Sequence, residues 1–361
     1  MSHEKILQKL VPQYVAEGEL ASFQQLHGGL INATYLLHIT SPQGAERLVF
    51  QRVNTAVFNK PELVMENVKL VTKHLKQVVP QGRNLNLEFT IDGASYILDG
   101  QGGLWRAFNY LAECVGHETV QSLTQAEEAG RAFGHFLSQL EGLDASQLHE
   151  IIPNFHHTPS RLRALEEACA QNTADRAGIV TRQMEFIKER REVIDLIEDL
   201  REAGELPLRT THNDTKVSNV LFDKATGKAV CVIDLDTVMP GTVLYDFGDL
   251  VRTSVNTVPE DASEAEVTCD LEIFEALTKG YLEAAQDTLT EVEVLHLVDS
   301  AKVITLELAM RFLTDYLKGD RYFRVARETQ NLERARNQLR LVELIEEKEA
   351  EMRDIVDRLS M

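Results

Sequence analysis

Hydrophobic periodicity changes character near residue 112, and that change restricts the fold more than any other feature of the chain. Upstream, short runs alternate in the manner of strands: TYLLHIT, RLVFQRV, LNLEFTID, ASYILD and LWRAFNYL, separated by the turn-formers SPQG, IDGA and DGQGG. Between the second and third runs, KPELVMENVKLVTKHLKQV sets Leu63, Val64, Asn67, Val68, Val71 and Leu75 at helical spacing. Residues from about 20 to 111 therefore read as a five-stranded, mainly antiparallel sheet with one inserted helix. Downstream the helical period dominates. Ala129, Phe133, Phe136, Leu137 and Leu140 share one face, and RQMEFIKERREVIDLIEDLREAG repeats the pattern with Phe186, Val193, Ile197 and Leu200. From Leu332 the chain reads as one long charged amphipathic helix that closes its own core, with a dimer contact as the alternative. The expectation is an α+β fold, with a sheet part over residues 1–111 and a helical part over 112–361.

Composition narrows the function classes. The 361 residues suffice for two domains or one two-lobed unit. A net charge of −20 repels phosphate backbones and anionic lipid, which argues against nucleic acid or membrane partners. The four cysteines, Cys114, Cys169, Cys231 and Cys269, form no CxxC pair and no disulfide framework. No run approaches eighteen apolar residues, and the N-terminus is amphipathic and acid-bearing rather than signal-like. A cytoplasmic protein, monomer or homodimer, is expected.

The helical part is interrupted once, over residues 208–250, by the apolar runs NVLFD and AVCVIDL around KATGK, whose Thr-Gly pair suits a hairpin turn. Residues 253–269 read as an exposed polar loop. Around the hairpin lie THNDTKVSN and VIDLDTVMPGTVLYDFGDL, which bring His212, Asp214 and Asn219 together with Asp234, Asp236, Asp246 and Asp249. Carboxylates at that density repel unless a cation lies among them. Phosphoryl transfer needs a carboxylate to accept the proton of an attacking hydroxyl, and oxygen donors to hold Mg²⁺ against nucleotide phosphates. Asp214 suits the first task, and Asn219 with Asp234 the second. Lys216, inside the same loop, is a cation within reach of a transferred phosphoryl group, or a plain loop lysine.

This ordered set resembles the phosphotransferase family of protein-kinase-like fold that includes aminoglycoside and choline kinases, whose pattern is His-x-Asp-x4-Asn followed by Ile-Asp. Within it the chain looks most like the bacterial N-acetylhexosamine 1-kinases, from GGLINATY through LVFQRVNTAVF, HNDTKVSN and IDLDTVMPG to MRFLTDYLKGDRYF. The resemblance implies a two-lobed ATP- and Mg²⁺-dependent kinase that phosphorylates the anomeric hydroxyl of a sugar. It implies Asp214 as base and Asn219 and Asp234 as metal ligands. Asp236 would lie by the metal, phosphates and substrate, and Asp246 would brace the loops. Arg311 and Tyr322 match sugar contacts, against a salt bridge of Arg311 with Asp315 and a core tyrosine as the plainer reading. The backbone of Asn109, Tyr110 and Leu111 would meet adenine. Of the two residues on the strand before them, Trp105 reads as core and Arg106 has no assigned task. His156 and His157 read as structural.

The segment HGGLINATY reads as a glycine turn entering a strand, with Gly28, Gly29 and Asn32 placed to cover nucleotide phosphates. Two departures from the kinase pattern follow. Where a strand lysine would grip the phosphates stands Gln51, with Arg52 beside it, so Arg52 or other groups would have to help with charge, and an ion pair with Glu66 is not expected. Where the N-acetylhexosamine kinases place a histidine stands Leu30, which cannot hydrogen-bond a hydroxyl and so can shift the choice of sugar. The alternatives are a kinase of choline, homoserine or aminoglycoside type, or a non-catalytic nucleotide-binding relative.

Overall fold

The computed structural model describes residues 3–26 and 31–361. Helix α1 (His3–Tyr14) precedes strands β1 (Glu19–Leu26), β2 (Ala33–Ser41) and β3 (Gly44–Arg52); helix α2 (Pro61–Val78) and strands β4 (Leu87–Glu88), β5 (Ile97–Leu98) and β6 (Leu104–Asn109) follow. They make a six-stranded sheet in the order β1-β2-β3-β6-β4, with β5 also on β6 and every pairing antiparallel. Five strands were expected. The extra one, β1, is exposed along most of its length, so no apolar alternation marks it in the sequence. The runs LNLEFTID and ASYILD contribute only two paired residues each.

Period-two alternation sorts the sheet's side chains onto two faces. Tyr35, Leu37, Leu48, Phe50, Trp105 and Ala107 pack with Ile6, Leu7, Leu10 and Val11 of α1. Leu104 and Phe108 turn the other way and join Val64, Met65, Val68 and Val71 of α2 in the main core, which is continuous with that of the helical part. Asn67 of α2 reinforces the junction. Fully buried, it donates to the carbonyls of His149 and Val238 and accepts from the His149 amide.

The helical part runs β7 (Cys114–Val115), α3 (Leu123–Leu140), α4 (Thr158–Gln171), α5 (Thr181–Lys188), α6 (Arg191–Glu202), β8 (Arg209–Thr211), β9 (Val220–Asp223), β10 (Ala229–Val232), β11 (Met239–Gly241), α7 (Val243–Val255), α8 (Leu271–Ala285), α9 (Glu291–Leu295), α10 (Leu297–Leu317), α11 (Gln330–Glu347) and α12 (Glu349–Ser360). The hairpin is β9–β10, with Gly227 at φ +70° in its turn. α10 is buried on every side and forms the axis of this part. Its charges are all engaged: Lys302 with Asp299 and Glu349, Glu307 with His156 and Arg311, and Asp315 with the amides of Arg321, Tyr322 and Phe323. α3 and α8 touch backbone to backbone. A Cβ on Gly280 would lie 1.9 Å from the Glu127 carbonyl, and one on Gly130 would lie 2.0 Å from that of Leu277.

Three expectations need amendment. The pattern over residues 182–204 belongs to two helices, α5 and α6, whose buried stripe is Met184, Ile187, Ile194 and Ile197. The C-terminal helix is likewise two, broken at Lys348, whose ammonium donates to the Cys269 carbonyl. Both dock on their own chain through Leu339, Val342, Ile345, Met352 and Val356. Residues 253–255 are the last turn of α7 rather than loop. Among the described residues no helix is long and apolar enough to cross a membrane.

Candidate active site

The loop between β8 and β9 is held from below by α7. Asp246, in the first turn of that helix, accepts the amides of His212 and Asn213 at 2.7 Å each. Burial pushes this carboxyl up, against the pull of the neighbouring His212 ring and the two amide bonds. Asn213 sits at φ +64°, a left-handed conformation an asparagine tolerates when its amide finds local partners; here it donates to the Thr211 and Thr237 carbonyls. His212 donates from Nε2 to the Ile233 carbonyl at 3.0 Å and accepts the Asp214 amide on Nδ1 at 3.3 Å. Its ring is wedged edge-on between Phe133 and Phe136.

At the loop's crest, Asp214 meets Lys216 Nζ at 2.9 Å and Asn219 Nδ2 at 3.1 Å, both on Oδ2. Among the described residues Oδ1 has no hydrogen-bond partner. Burial would raise this carboxyl, but the Lys216 charge and hydrogen bond, with His212 and Asn219, outweigh it and hold it below the ordinary aspartate value. Asp214 is therefore an anion at neutral pH with one oxygen in reserve. Lys216 is held above its ordinary value by the same pair, after burial has acted to lower it. Asn219 also donates to the Asp214 carbonyl at 2.8 Å, which turns its amide oxygen outward from that contact.

The four downstream aspartates have four different neighbours. Asp246 has its two amides. Asp249 pairs with Arg252 at 2.8 Å. Asp236, 2% exposed, meets Arg106 Nη1 at 2.5 Å and accepts from Asn32 Nδ2 at 2.5 Å. Asp234 alone has no hydrogen-bonding or ionic partner among the described residues. It stands at φ +62°, two residues past the end of β10, and burial, with Asp236 and Asp214 nearby, pushes its carboxyl up to about 6. A carboxylate so placed fits a cation: hard oxygen donors crowd together, and one remains unsatisfied. No group of three His, Cys, Asp or Glu side chains forms a complete metal cage among the described residues. The donors present, one carboxylate and one amide oxygen, suit a Mg²⁺ that fills its remaining positions with phosphate and water.

The absent strand lysine has a structural counterpart. Gln51 and Arg106 are register partners across β3 and β6. Gln51 Oε1 accepts from Arg106 Nη2 at 2.7 Å and Nε at 3.1 Å, while Gln51 Nε2 donates to Thr34. The cation thus sits one strand over and points at Asp236, linking the sheet to the turn that carries Asp234 and Asp236. Arg52 does not supply charge there. Alternation places it on the opposite face from Gln51, 3.8 Å from Asp99, which also accepts from the buried Trp105 indole. Glu66 pairs with His149 instead of with β3. Asn32 bridges Asp236 and the Asn54 amide. Gly28, Gly29 and Leu30 lie outside the described residues.

Of the expected adenine segment, Asn109 binds the 84–86 strand entry through backbone and side chain, and the Tyr110 ring carries the Arg47 guanidinium 4.3 Å from its centre. Leu111 is half-buried beside them. On the far side of the loop, Arg311 is 3.4 Å from Glu307 and lies between the Phe155 and Phe323 rings. It does not pair with Asp315, which is occupied by backbone amides. Tyr322 is 66% exposed rather than core. His157 caps α4, accepting the Ser160 amide on Nδ1. His156 is buried, with Nδ1 at 3.1 Å from Glu307 and Nε2 at 3.0 Å from the Asn213 carbonyl. Arg106 and His156 are the two residues whose part in the site the sequence did not disclose. The unfilled lysine position was the one clue to Arg106; the paired histidines were the clue to His156.

Residues 22–276 match the phosphotransferase enzyme family. Among solved structures the chain is similar to a microcompartment-associated aminopropanol kinase, at 15% identity and TM-score 0.65, covering 97% of this chain and 98% of that one. It is similar to a choline/ethanolamine kinase family protein from Mesorhizobium loti, at 12% identity and TM-score 0.59, covering 99% of each. It is also similar to a spectinomycin phosphotransferase in complex with ADP and spectinomycin, at 13% identity and TM-score 0.58, covering 96% and 98%. At these identities the likeness establishes a shared fold.

Proposed function

This chain belongs to the phosphotransferase enzyme family, and from that premise we propose that it transfers the γ-phosphoryl group of ATP to the anomeric hydroxyl of an N-acetylhexosamine or related sugar. The observation that carries the reading is Asp214, an ionised carboxylate with Oδ2 fixed by Lys216 and Asn219 and Oδ1 in reserve. Oδ1 accepts the proton of the attacking hydroxyl as its oxygen closes on phosphorus, and ADP leaves with the bridging oxygen. Lys216 keeps Asp214 charged and lies near enough to the developing phosphoryl charge to offset it. Asn219 and Asp234 would hold Mg²⁺, which when bound neutralises charge on the nucleotide phosphates.

Arg311 and Tyr322 favour a sugar as acceptor. A guanidinium offers a planar fork of donors to neighbouring hydroxyls, and an exposed tyrosine offers a ring face beside a hydroxyl. Arg161, which donates to the Asn154 and Phe155 carbonyls, lies on the same side. Two guanidiniums beside the acceptor position oppose a cationic amino alcohol or aminoglycoside, the second reading suggested by the structural neighbours. The test is ADP release with Mg-ATP against N-acetylglucosamine, N-acetylgalactosamine, glucose, galactose, choline, homoserine and kanamycin. Turnover with a reducing sugar is expected, and Asp214→Asn should lower it by roughly 10²–10⁴-fold, the usual worth of a general base. Turnover confined to choline, homoserine or kanamycin would replace the sugar reading.

A further inference from the structure

The peptide bond joining Asn213 to Asp214 is held at both of its polar atoms by histidine rings. His212 Nδ1 accepts the Asp214 N–H at 3.3 Å, and His156 Nε2 faces the Asn213 carbonyl at 3.0 Å. Because a peptide unit is planar, fixing its N–H and its C=O fixes the Cα of Asp214, the residue that carries the base. The two rings are in different protonation states by necessity of their partners. His212 faces one donor and one acceptor and is a neutral imidazole. His156 faces two acceptors: the Asn213 carbonyl on Nε2, and both carboxylate oxygens of Glu307, at 3.1 and 3.2 Å, on Nδ1. Only an imidazolium donates from both nitrogens to such partners.

The surroundings support the charged form. Glu307 is fully buried on α10, and its other cationic neighbours are Arg311 and Arg161. The His156 ring stacks on Tyr245 of α7, 5.1 Å between centres. The Tyr245 hydroxyl donates to Glu198 of α6. The charged or titratable groups facing His156 are therefore Glu307 and Arg311 from α10, Arg161 from α4, Tyr245 and Asp246 from α7, and Glu198 from α6. Burial lowers the imidazole's proton affinity, but the Glu307 charge and hydrogen bond more than restore it, and the net direction is upward. Glu307 is held down by the same pairing, burial notwithstanding.

We propose that His156, as a standing imidazolium, is a positioning residue for phosphoryl transfer: it ties the helix bearing Glu307 and Arg311 to the backbone that orients Asp214. A displacement of α10 by an acceptor held at Arg311 is then transmitted through Glu307 and His156 to the plane of the 213–214 peptide. The protonation state and the loop contact stand on the geometry alone; the link to the acceptor rests on the function proposed above.

Three measurements on the full-length protein test this. Nitrogen-15 NMR of histidine-labelled protein should show one imidazole with both nitrogens protonated at pH 7.5 and losing its proton only above the ordinary histidine range. Its signal should vanish in His156→Gln, and in Glu307→Gln, where burial and Arg311 act without the compensating carboxylate, the imidazole should lose its second proton below the ordinary histidine range. A neutral His156 at pH 7.5 would overturn the proposal whatever the enzyme does. Hydrogen exchange of the Asp214 amide should accelerate in both variants while the amides of α3 and α8 keep their protection. Uniform acceleration would reduce His156 to a packing residue. For any acceptor that turns over, His156→Gln should lower kcat by about tenfold or more, since small displacements of a catalytic group are costly. The KM for Mg-ATP should stay within about twofold. An unchanged kcat, or an equal loss in nucleotide binding, would also overturn it. Absence of any turnover in the wild type would strike the reaction while leaving the NMR and exchange results to decide the positioning.

Discussion

Deleting the Arg106 guanidinium while keeping Asp236 would leave a carboxylate with 2% exposure facing, among the described residues, only the Asn32 amide as a hydrogen-bond partner. Breaking one side of a buried ion pair costs about 3–5 kcal/mol, whereas removing both charges together is close to neutral. Arg106→Gln is therefore expected to lower the denaturant midpoint severely, and the double variant Arg106→Gln/Asp236→Asn to recover most of it; equilibrium urea unfolding of the two decides. The same residues show the limit of sequence reading at this scale. That Asp214, Asn219 and Asp234 would lie together was legible, because phosphoryl transfer would need those side chains at that spacing. That Asp236 would be consumed by Arg106 was not, because the pair spans 130 positions of chain and depends on β3–β6 register. Arg52 was misassigned for the complementary reason: adjacent residues on a strand face opposite ways, and only the alternation of Phe50 and Trp105 with Gln51 and Arg106 shows which way each faces.

At the scale of elements, the α3–α8 contact carries its own prediction. Glu127, Gly130 and Gly134 on one helix face Leu277, Gly280 and Tyr281 on the other so closely that a methyl group at Gly280 meets backbone, which cannot rotate aside. Gly280→Ala must part the helices, and overpacking of this kind costs about 1–3 kcal/mol. A fall in melting temperature with the active-site residues untouched is the expected result, and an unchanged one would mean the helices can slide. Strong helical periodicity made α2 and α3 readable, and the hairpin β9–β10 was marked by its Thr-Gly turn. The missed elements lacked such marks. β1 presents mostly polar, exposed residues, and the breaks at Glu189 and Lys348 interrupt helices whose apolar spacing runs nearly unbroken across them.

For the molecule as a whole, the two parts share one apolar core through α2, Leu104 and Phe108. They are further joined by Asn67 and by Arg106 with Asp236. Calorimetry of the ligand-free protein should therefore give a single cooperative transition, with matching calorimetric and van't Hoff enthalpies, and two resolved peaks would refute the shared core. Among the described residues the Asp214 carboxylate at the centre of this assembly is engaged on one side only, since Lys216 and Asn219 both occupy Oδ2, and as the base proposed above it would work through Oδ1 alone. For a reducing sugar that asymmetry becomes a question of handedness. With the ring held in one pose by its other hydroxyls, an oxygen presented to Oδ1 can belong to one anomer only, and that of the other anomer would point away from phosphorus. Freshly dissolved sugar of the wrong epimer should then be consumed only as fast as its ring opens and recloses. A lag set by mutarotation, shortened by adding a mutarotase, would be the visible trace of two side chains sharing one carboxylate oxygen.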